Sequence, residues 1–159
     1  MILTRQYRTK VFREQVEHEW KEKFWKFVED NQEQPWDWRG LSANPNITFD
    51  IVLSHPDKPW DWYCLSRNPN ITIDIILAHP ELPWNWYYLS INPNITFDIV
   101  LAHPDKPWEW KCLSKNPNIT FEIVLAHPEL PWIWYDLSRN PNITLDHLFT
   151  YPEQPWNWY

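Results

Sequence analysis

Apolar and polar positions recur along this chain with a period of 24 residues. Each period contains Asn-Pro-Asn-Ile-Thr, a short apolar run and then Pro-Trp-x-Trp, and no insertion interrupts either motif. The first motif begins at Asn44, Asn68, Asn92, Asn116 and Asn140, and the second at Pro35, Pro59, Pro83, Pro107, Pro131 and Pro155. A fixed period of this length predicts stacked structural repeats, each of which contacts its neighbours.

One repeat predicts two short helices. Pro45 and Pro56 bracket the first helix, and Thr48 is positioned to act as its N-cap. Pro59 is expected to open the second helix, because its fixed φ suits the first helical position and its missing N–H costs little there. That helix should run through both tryptophans toward the next Asn-Pro.

The main alternative to helices is a β-helix, because Ile-Thr-Phe-Asp-Ile-Val-Leu is also rich in residues that favour strands. Such folds depend on glycine at their turns, and Gly40 is the one glycine in 159 residues. Helices this short are unstable alone, so packing between repeats must order them. We predict an all-α fold, a short α-solenoid of 24-residue repeats with two short helices per repeat, one of them α or 3₁₀.

Residues 4–30 predict one longer amphipathic helix ahead of the repeats. Phe12, Val16, Trp20, Phe24 and Val28 recur at four-residue intervals and form an apolar stripe. Such a stripe is expected to cover the first repeat, and a partner-binding or dimerising helix is the alternative. We therefore divide the chain into a capping helix, 1–34, and an array of about five repeats, 35–159, which form one domain together.

Charge and composition narrow the class of protein. The net charge is −7, and the repeats carry the acidic excess, which argues against nucleic acid as a partner. No run of about 18 apolar residues predicts a membrane span, and the first residues lack the apolar run of a signal peptide. Cys64 and Cys112 are too few for a disulfide framework. We expect a cytoplasmic protein that does not bind membranes.

Several rows of equivalent residues could carry chemistry, but each also has a structural interpretation. The histidines His55, His79, His103 and His127 form a line, whereas a metal site needs three or four converging ligands. We interpret them as helix-terminal residues, and the Asn-Pro-Asn asparagines as groups that satisfy the backbone between repeats. Rows of acidic residues place every member in the same environment, whereas acid-base catalysis needs two different environments. We expect no enzyme activity, cofactor or metal.

The tryptophans allow three interpretations. Exposed indoles would stack on sugars or on the bases of single-stranded nucleic acid. Both tryptophan positions are the same in all six copies, however. A residue that is identical in every copy is expected to have a role common to all copies, which is packing between repeats. We therefore assign the tryptophans to the core between repeats.

Specific recognition should lie where the repeats differ, on and beside the second helix. Tyrosine is enriched at the energetic centres of protein interfaces, and isoleucine is unusual at these otherwise polar positions. Drift on a solvated surface is the alternative explanation. The candidate partner-binding residues are Asp61, Tyr63, Arg67, Tyr87, Tyr88, Ile91, Lys111, Lys115, Ile133, Tyr135 and Arg139.

The last repeat departs from the others, with His147-Leu-Phe-Thr-Tyr-Pro152 in place of the usual apolar run. It either acts as a degenerate cap or docks on a second copy, which would make the chain a homo-oligomer. The candidate self-association residues are His147, Phe149, Tyr151, Trp158 and Tyr159.

The repeat resembles two known families. Asn44-Pro45-Asn46 and the corner His55-Pro56-Asp57 are similar to leucine-rich-repeat-variant solenoids, in which an α-helix alternates with a 3₁₀-helix. The chain departs from that family where it has Pro59-Trp60-x-Trp62. The combination of Asn-Pro-Asn-Ile-Thr with His-Pro-Asp-Lys-Pro-Trp-Asp-Trp resembles repeat proteins of giant DNA viruses of the mimivirus type. That resemblance implies a viral protein, located in the host cytoplasm or the virion, from a large family without an assigned chemistry.

From these observations we expect a non-enzymatic repeat scaffold that binds a protein partner. A structural virion component, or another self-assembling component that packs end to end, is the first alternative. A glycan-binding ladder of aromatic side chains is the second.

Overall fold

The computed structural model describes residues 19–20 and 23–157 and divides the chain into two compact units, Met1–Asp61 and Trp62–Tyr159. In unit 1 the helices are α1 (23–30), α2 (Trp38–Ala43) and α3 (Phe49–Ser54). In unit 2 they are α4 (Trp62–Arg67), α5 (Ile73–Ala78), α6 (Trp86–Ser90), α7 (Phe97–Ala102), α8 (Trp110–Leu113), α9 (Phe121–Ala126), α10 (Trp134–Leu137) and α11 (Leu145–Thr150). The described residues contain no strand, so the predicted all-α repeat fold is confirmed.

The first helix of each repeat follows the Asn-Pro-Asn-Ile-Thr segment, as predicted. Its N-terminal residue is a buried phenylalanine in three of the five repeats, and the valine three positions later is buried with it, as in Phe97 and Val100. The threonine before the helix is extended at every copy, but only Thr120 and Thr144 accept a capping hydrogen bond from the helix backbone. The helix ends at the histidine, or at Tyr151 in the last repeat.

The second helix begins later than predicted. Pro59 does not open it, because the residues from Pro59 to Asp61 are not helical and α4 starts at Trp62. The backbone N–H of Asp61 donates to Ser42 Oγ of the preceding repeat at 2.9 Å instead of joining a helical hydrogen bond. The same arrangement recurs in unit 2, where Asn85 donates to Ser66. The second helix is nevertheless an α-helix rather than a 3₁₀-helix throughout the described residues.

Buried serines connect successive repeats. Ser66 and Ser90 are completely buried, and each hydroxyl donates to the carbonyl four residues earlier at 2.7 Å. Each also accepts a backbone N–H from the residue between the two tryptophans of the next repeat, as Ser90 does from Glu109 at 2.9 Å. Both hydrogen-bonding functions of the hydroxyl are therefore used inside the stack.

The first asparagine of each Asn-Pro-Asn motif is a structural residue, as predicted. Asn92 is completely buried and its amide donates to the carbonyls of Ser66 and Asn68 in the preceding repeat, at 2.9 and 3.1 Å. Its Oδ1 accepts the backbone N–H of Asn94, which closes the turn within its own repeat. One side chain thus fixes the turn and joins it to the neighbouring repeat.

The tryptophans pack in the core between repeats, which confirms the structural interpretation. The second tryptophan of one repeat meets the first tryptophan of the next edge to face, with ring centroids 5.0 to 5.2 Å apart. The first indole also donates to the carbonyl of the residue that ends the preceding helix, as Trp132 does to His127 at 2.9 Å. Edge-to-face packing favours the ring quadrupoles, and the indole N–H has a partner inside the protein.

Helix α1 covers the following repeat, as expected of a cap, but among the described residues of the predicted apolar stripe only Val28 and the half-buried Phe24 lie toward that repeat. Trp20 is 60 % exposed, whereas Trp25 and Val28 are buried. Trp25 lies 24 residues before Phe49 and packs its ring on His55 and Trp60, with centroids 4.7 and 5.8 Å apart. Helix α1 therefore occupies the place of a first helix in the repeat pattern. The predicted helical residues 4–18, with Phe12 and Val16, lie outside the described residues.

Candidate functional site

Exposed tyrosines lie on the second helices of unit 2. Tyr63, Tyr87 and Tyr135 follow the second tryptophan of their repeats and are 60 %, 43 % and 48 % exposed. They occupy equivalent positions of α4, α6 and α10, and α4 packs on α6, which packs on α8. We define the tyrosine face as the following residues on or directly beside these helices: Tyr63, Arg67, Tyr87, Tyr88, Lys111, Tyr135 and Arg139.

Three of these tyrosines contact one another across two repeats. The Tyr63 ring meets the half-buried Tyr88 ring edge to face at 5.9 Å, and Tyr88 meets Tyr87 in the same geometry at 5.3 Å. Because each ring is held by its neighbour, little side-chain freedom remains to be lost when a partner binds. The sequence predicted that these residues share a face but not that their rings are in contact.

Further side-chain contacts involve the tyrosines of α6 and α10. Tyr87 and Cys112 form a side-chain hydrogen bond, which raises the pKa of Tyr87 above its ordinary value. Burial raises the pKa of the Cys112 thiol more than the bond to Tyr87 lowers it. Further along, the Arg139 guanidinium carbon lies 4.3 Å from the centroid of the Tyr135 ring, a cation–π geometry that keeps the charge at the surface.

The structure gives Lys115 a structural role that sequence analysis missed. Its ammonium lies 2.7 Å from Oδ1 of Asp136, whose carboxylate is only 1 % exposed. The contact with Asp136 is the main reason that the pKa of Lys115 is raised. Asp136 occupies the position of Cys64 and Cys112 in other repeats, so the only sequence signal was an acidic residue in a column of otherwise uncharged side chains.

The remaining predicted partner-binding residues contribute less to this face. Ile91 is half-buried, whereas Ile133 is 38 % exposed at the N-cap position of α10. Asp61 is the last residue of unit 1, and its backbone is held by Ser42.

Charge is separated between the two kinds of helix in unit 2. Four of its five cationic residues lie on or directly after second helices, namely Arg67, Lys111, Lys115 and Arg139. Eight of its ten acidic residues lie instead on first helices or in the corners that follow them, and all eight are exposed: Asp74, Glu81, Asp98, Asp105, Glu122, Glu129, Asp146 and Glu153. The tyrosine face is therefore cationic within an acidic unit.

Most of the predicted self-association residues that the structure describes are engaged within the chain. The His147 ring stacks on Phe121 at 4.7 Å, and Tyr151 meets the same ring edge to face at 5.1 Å. Phe149 is 77 % exposed, and so is its neighbour on the helix, Leu145, at 70 %, which sequence analysis did not single out. Trp158 and Tyr159 lie outside the described residues.

The other candidate chemical groups form no metal-binding cluster in the described part of the chain. No set of three or more His, Cys, Asp or Glu side chains has a metal-binding arrangement there. His79 and His127 each pair with the acidic residue two positions later, at 3.3 Å. His55 pairs instead with Glu29 of α1, at 3.0 Å, so these histidines have different partners rather than one common site.

Grooves occur beside the Pro-Trp-x-Trp segments. In unit 2 a cavity of about 310 Å³ is lined by Leu101, Pro107, Trp108, Trp110 and Leu130, among others, and an equivalent one of about 270 Å³ lies one repeat earlier. In unit 1 a smaller cavity of about 110 Å³ lies between Trp25, Trp36 and Trp38. The two cavities in unit 2 occupy equivalent positions, so they are a product of repeat packing.

Comparison with known proteins gives no relative. No protein-family model, curated protein or solved structure matches the chain. No helix among residues 19–20 and 23–157 has both the length and the apolar character that crossing a membrane requires. Any assignment of function therefore depends on the surface of the molecule.

Proposed function

We propose that this protein is a non-enzymatic repeat scaffold that binds a protein partner through the tyrosine face of unit 2. The observation that carries the proposal is the contact chain from the exposed Tyr63 through the half-buried Tyr88 to the exposed Tyr87, an aromatic cluster that spans two repeats. Tyrosine combines a large apolar ring with a hydroxyl, and it is enriched at the centres of protein interfaces. We extend the proposal to a viral origin and a cytoplasmic or virion location, on the resemblance to giant-virus repeat proteins.

The packing beneath this face supports the proposal because buried side chains and hydrogen bonds join the repeats that carry the tyrosines. Leu65 and Leu89, on α4 and α6, are buried, and Ser66 and Asn92 hydrogen-bond the backbone of the two repeats together. A surface that rests on such a stack presents its side chains in fixed positions, which lowers the ordering cost of association. In this proposal, the residues that are the same in every repeat pack the repeats together, and the residues that differ between repeats determine which partner binds.

Photo-crosslinking tests the proposal. A photoreactive phenylalanine replaces Tyr63 or Tyr87 in one set of proteins, and Leu77 or Leu101 on the first helices in the control set. All four residues are exposed, between 37 % and 60 %. In lysate of the cells that express the protein, a discrete heterologous adduct is expected from the tyrosine positions and not from the leucine positions.

The crosslinked protein is then purified and its affinity measured for the parent and two triple variants. Changing Tyr63, Tyr87 and Tyr135 to Ser is expected to weaken binding at least tenfold, because hot-spot residues dominate interface energies. Changing Leu77, Leu101 and Leu125 to Ser should alter affinity less than twofold. Equal weakening by both variants, or crosslinks from the leucine positions alone, would refute the tyrosine face as the binding surface.

Self-assembly is a second candidate, supported by the exposed Phe149 and Leu145 on α11. At the position of Leu145, the preceding repeats carry Phe97 and Phe121, which are buried. Light scattering between 1 and about 200 μM tests this alternative. A mass that rises with concentration in the parent, and stays monomeric when Phe149 and Leu145 are both changed to Ser, is expected if these side chains join copies. A constant parent mass removes this candidate.

The glycan-binding ladder has less support as a candidate. The indoles pack edge to face on one another, and their N–H groups donate to backbone carbonyls, as Trp108 does to His103 at 2.8 Å. A sugar-stacking platform needs an open aromatic face, and Trp108 and Trp132 are buried.

A further inference from the structure

We infer that the partner of the tyrosine face is an acidic peptide segment bound in extended conformation across the second helices of unit 2. This inference rests on the proposed function, because it names the class of segment that the same face receives. It follows from three observations: the separation of charge, the absence of ion pairs at the exposed cations, and the spacing of those cations.

Three cationic side chains on the face are unneutralised. Arg67 and Lys111 are exposed and form no ion pair with any other described residue. The guanidinium of Arg139 rests on the Tyr135 ring, which orients it without neutralising its charge. Lys115 differs because its ammonium is already matched by Asp136. Glu109, at the N-cap of α8, is the one exposed carboxylate on or beside the second helices of unit 2.

The charge pattern of the whole unit favours a peptide over nucleic acid. The eight exposed carboxylates on the first helices and their corners would repel a long polyanion that extended beyond the face. A short acidic segment that stays on the second helices avoids those eight carboxylates, and Glu109 is the one exposed carboxylate beside it. Aromatic side chains between those cations provide contact area for apolar residues of such a segment.

The spacing of the cations predicts how acidic residues are arranged in the segment. Adjacent packed helices lie about 8–10 Å apart, and an extended chain advances about 3.3 Å per residue, so one repeat corresponds to about three residues. Arg67 and Lys111 belong to repeats two steps apart, and Arg139 lies one step further. The segment should therefore carry two acidic residues about six positions apart, with apolar residues between them opposite Tyr87 and Tyr88. A third acidic residue should follow about three positions later.

Selection from a displayed library of random 16-residue peptides tests this inference. The parent protein is expected to enrich peptides with an excess of Asp and Glu at the predicted spacing. A variant with Arg67, Lys111 and Arg139 changed to Glu is expected to lose those peptides and to enrich Lys and Arg instead. Changing Lys106 to Glu is the matched control, because Lys106 lies in a corner after a first helix, paired with Asp105 at 3.0 Å.

Affinities of the best acidic peptide give the quantitative test. The triple Glu variant is expected to weaken binding at least 30-fold and the Lys106→Glu variant less than twofold. Replacing the acidic residues of the peptide with Gln or Asn should weaken binding to the parent about tenfold or more. A labelled oligouridylate of 12 nucleotides serves as the nucleic-acid probe and is expected to bind more weakly than the peptide.

The outcomes separate this inference from the proposed function. Peptides that lack an acidic excess, yet lose binding when Tyr63, Tyr87 and Tyr135 are changed to Ser, would overturn the acidic segment and leave the tyrosine face in place. Peptides unaffected by either set of changes would overturn both. Recovery of no peptide, or binding of oligouridylate that is tighter than binding of the best peptide, would overturn the inference. Neither result would affect the crosslinking test of the proposed function.

Discussion

The ammonium of Lys115 lies 2.7 Å from Oδ1 of Asp136, and this pair joins the repeat of α8 to the repeat of α10. The carboxylate is almost completely buried, and apart from this ion pair neither of its oxygens has a hydrogen-bond partner among the described residues. Lys115 is thus the principal compensation for a buried charge. The pair is a departure from the repeat pattern, since the position of Asp136 is Cys64 or Cys112 in other repeats.

Changing Lys115 to Met should lower the free energy of unfolding by about 3 kcal/mol. Removing one member of a buried ion pair costs about 3–5 kcal/mol, and the partial exposure of the ammonium places this pair at the lower end. Urea unfolding at pH 7 measures the change. Lys111→Met serves as the surface control, because Lys111 is exposed and unpaired, and should shift stability by less than about 0.5 kcal/mol.

Adding Asp136→Cys to Lys115→Met should recover most of the lost stability, because the double variant no longer buries an unpaired charge. If the two single changes simply add in the double variant, Lys115 does not compensate Asp136.

Changing Asn116 to Asp should destabilise the fold by at least about 3 kcal/mol. The completely buried amide donates to the carbonyls of Ser90 and Asn92 in the preceding repeat, and a carboxylate of the same shape can only accept. Thermal unfolding followed by circular dichroism measures the effect. The same chemical change at Asn85 is the control and should be nearly neutral, because Asn85 acts as an N-cap acceptor and Asp37 already fills that role in another repeat. Similar losses at Asn85 and Asn116 would contradict the donor role of Asn116.

Changing Trp25 to Phe should alter stability by less than about 1 kcal/mol. The buried Nε1 of Trp25 has no partner among the described residues, so removing it relieves a cost of about 1–3 kcal/mol that offsets the lost ring area. Phe49 fills the equivalent place in the next repeat. Trp60→Phe should instead destabilise by at least about 1 kcal/mol, because the Trp60 indole donates to the His55 carbonyl at 2.9 Å. Chemical unfolding of both variants compares them, and a larger loss for Trp25→Phe would show that its N–H is satisfied.

Alkaline pH should destabilise the protein. The folded state raises the pKa values of Cys112, Tyr87 and Lys115, so it binds these protons more tightly than the unfolded chain does. Their stabilising contribution is complete below the unfolded pKa values, about 8.5, 10 and 10.4, and is lost as pH rises through the folded values. Urea midpoints between pH 7 and 10.5 should therefore fall, beginning above about pH 8.5. The fall in the urea midpoint just above pH 8.5 should be smaller in the Cys112→Ala variant. A urea midpoint of the parent that does not change with pH would contradict the raised pKa values.

Much of the fold could be predicted because the repeat is encoded locally. The prolines that bracket the first helix and the histidine at its end act within a few residues, whereas the predicted threonine cap forms only at Thr120 and Thr144. The structural role of the asparagines and tryptophans was also accessible, because a residue that recurs in every copy serves what every copy shares. The common face of the tyrosines could be deduced from their position after the second tryptophan, but the contact between Tyr63 and Tyr88 could not.

The sequence by itself determined the repeat length, the helical class and the separation of invariant from variable positions. Only the tertiary structure decided that the second helix begins at Trp62, that Trp25 rather than Trp20 faces the next repeat, and that Asp136 is buried against Lys115. These features depend on groups about 20 to 30 residues apart in the chain, such as Ser42 and the backbone of Asp61. Local helix propensity does not predict which backbone N–H will donate to a neighbouring repeat, because these hydrogen bonds form only when the repeats pack together.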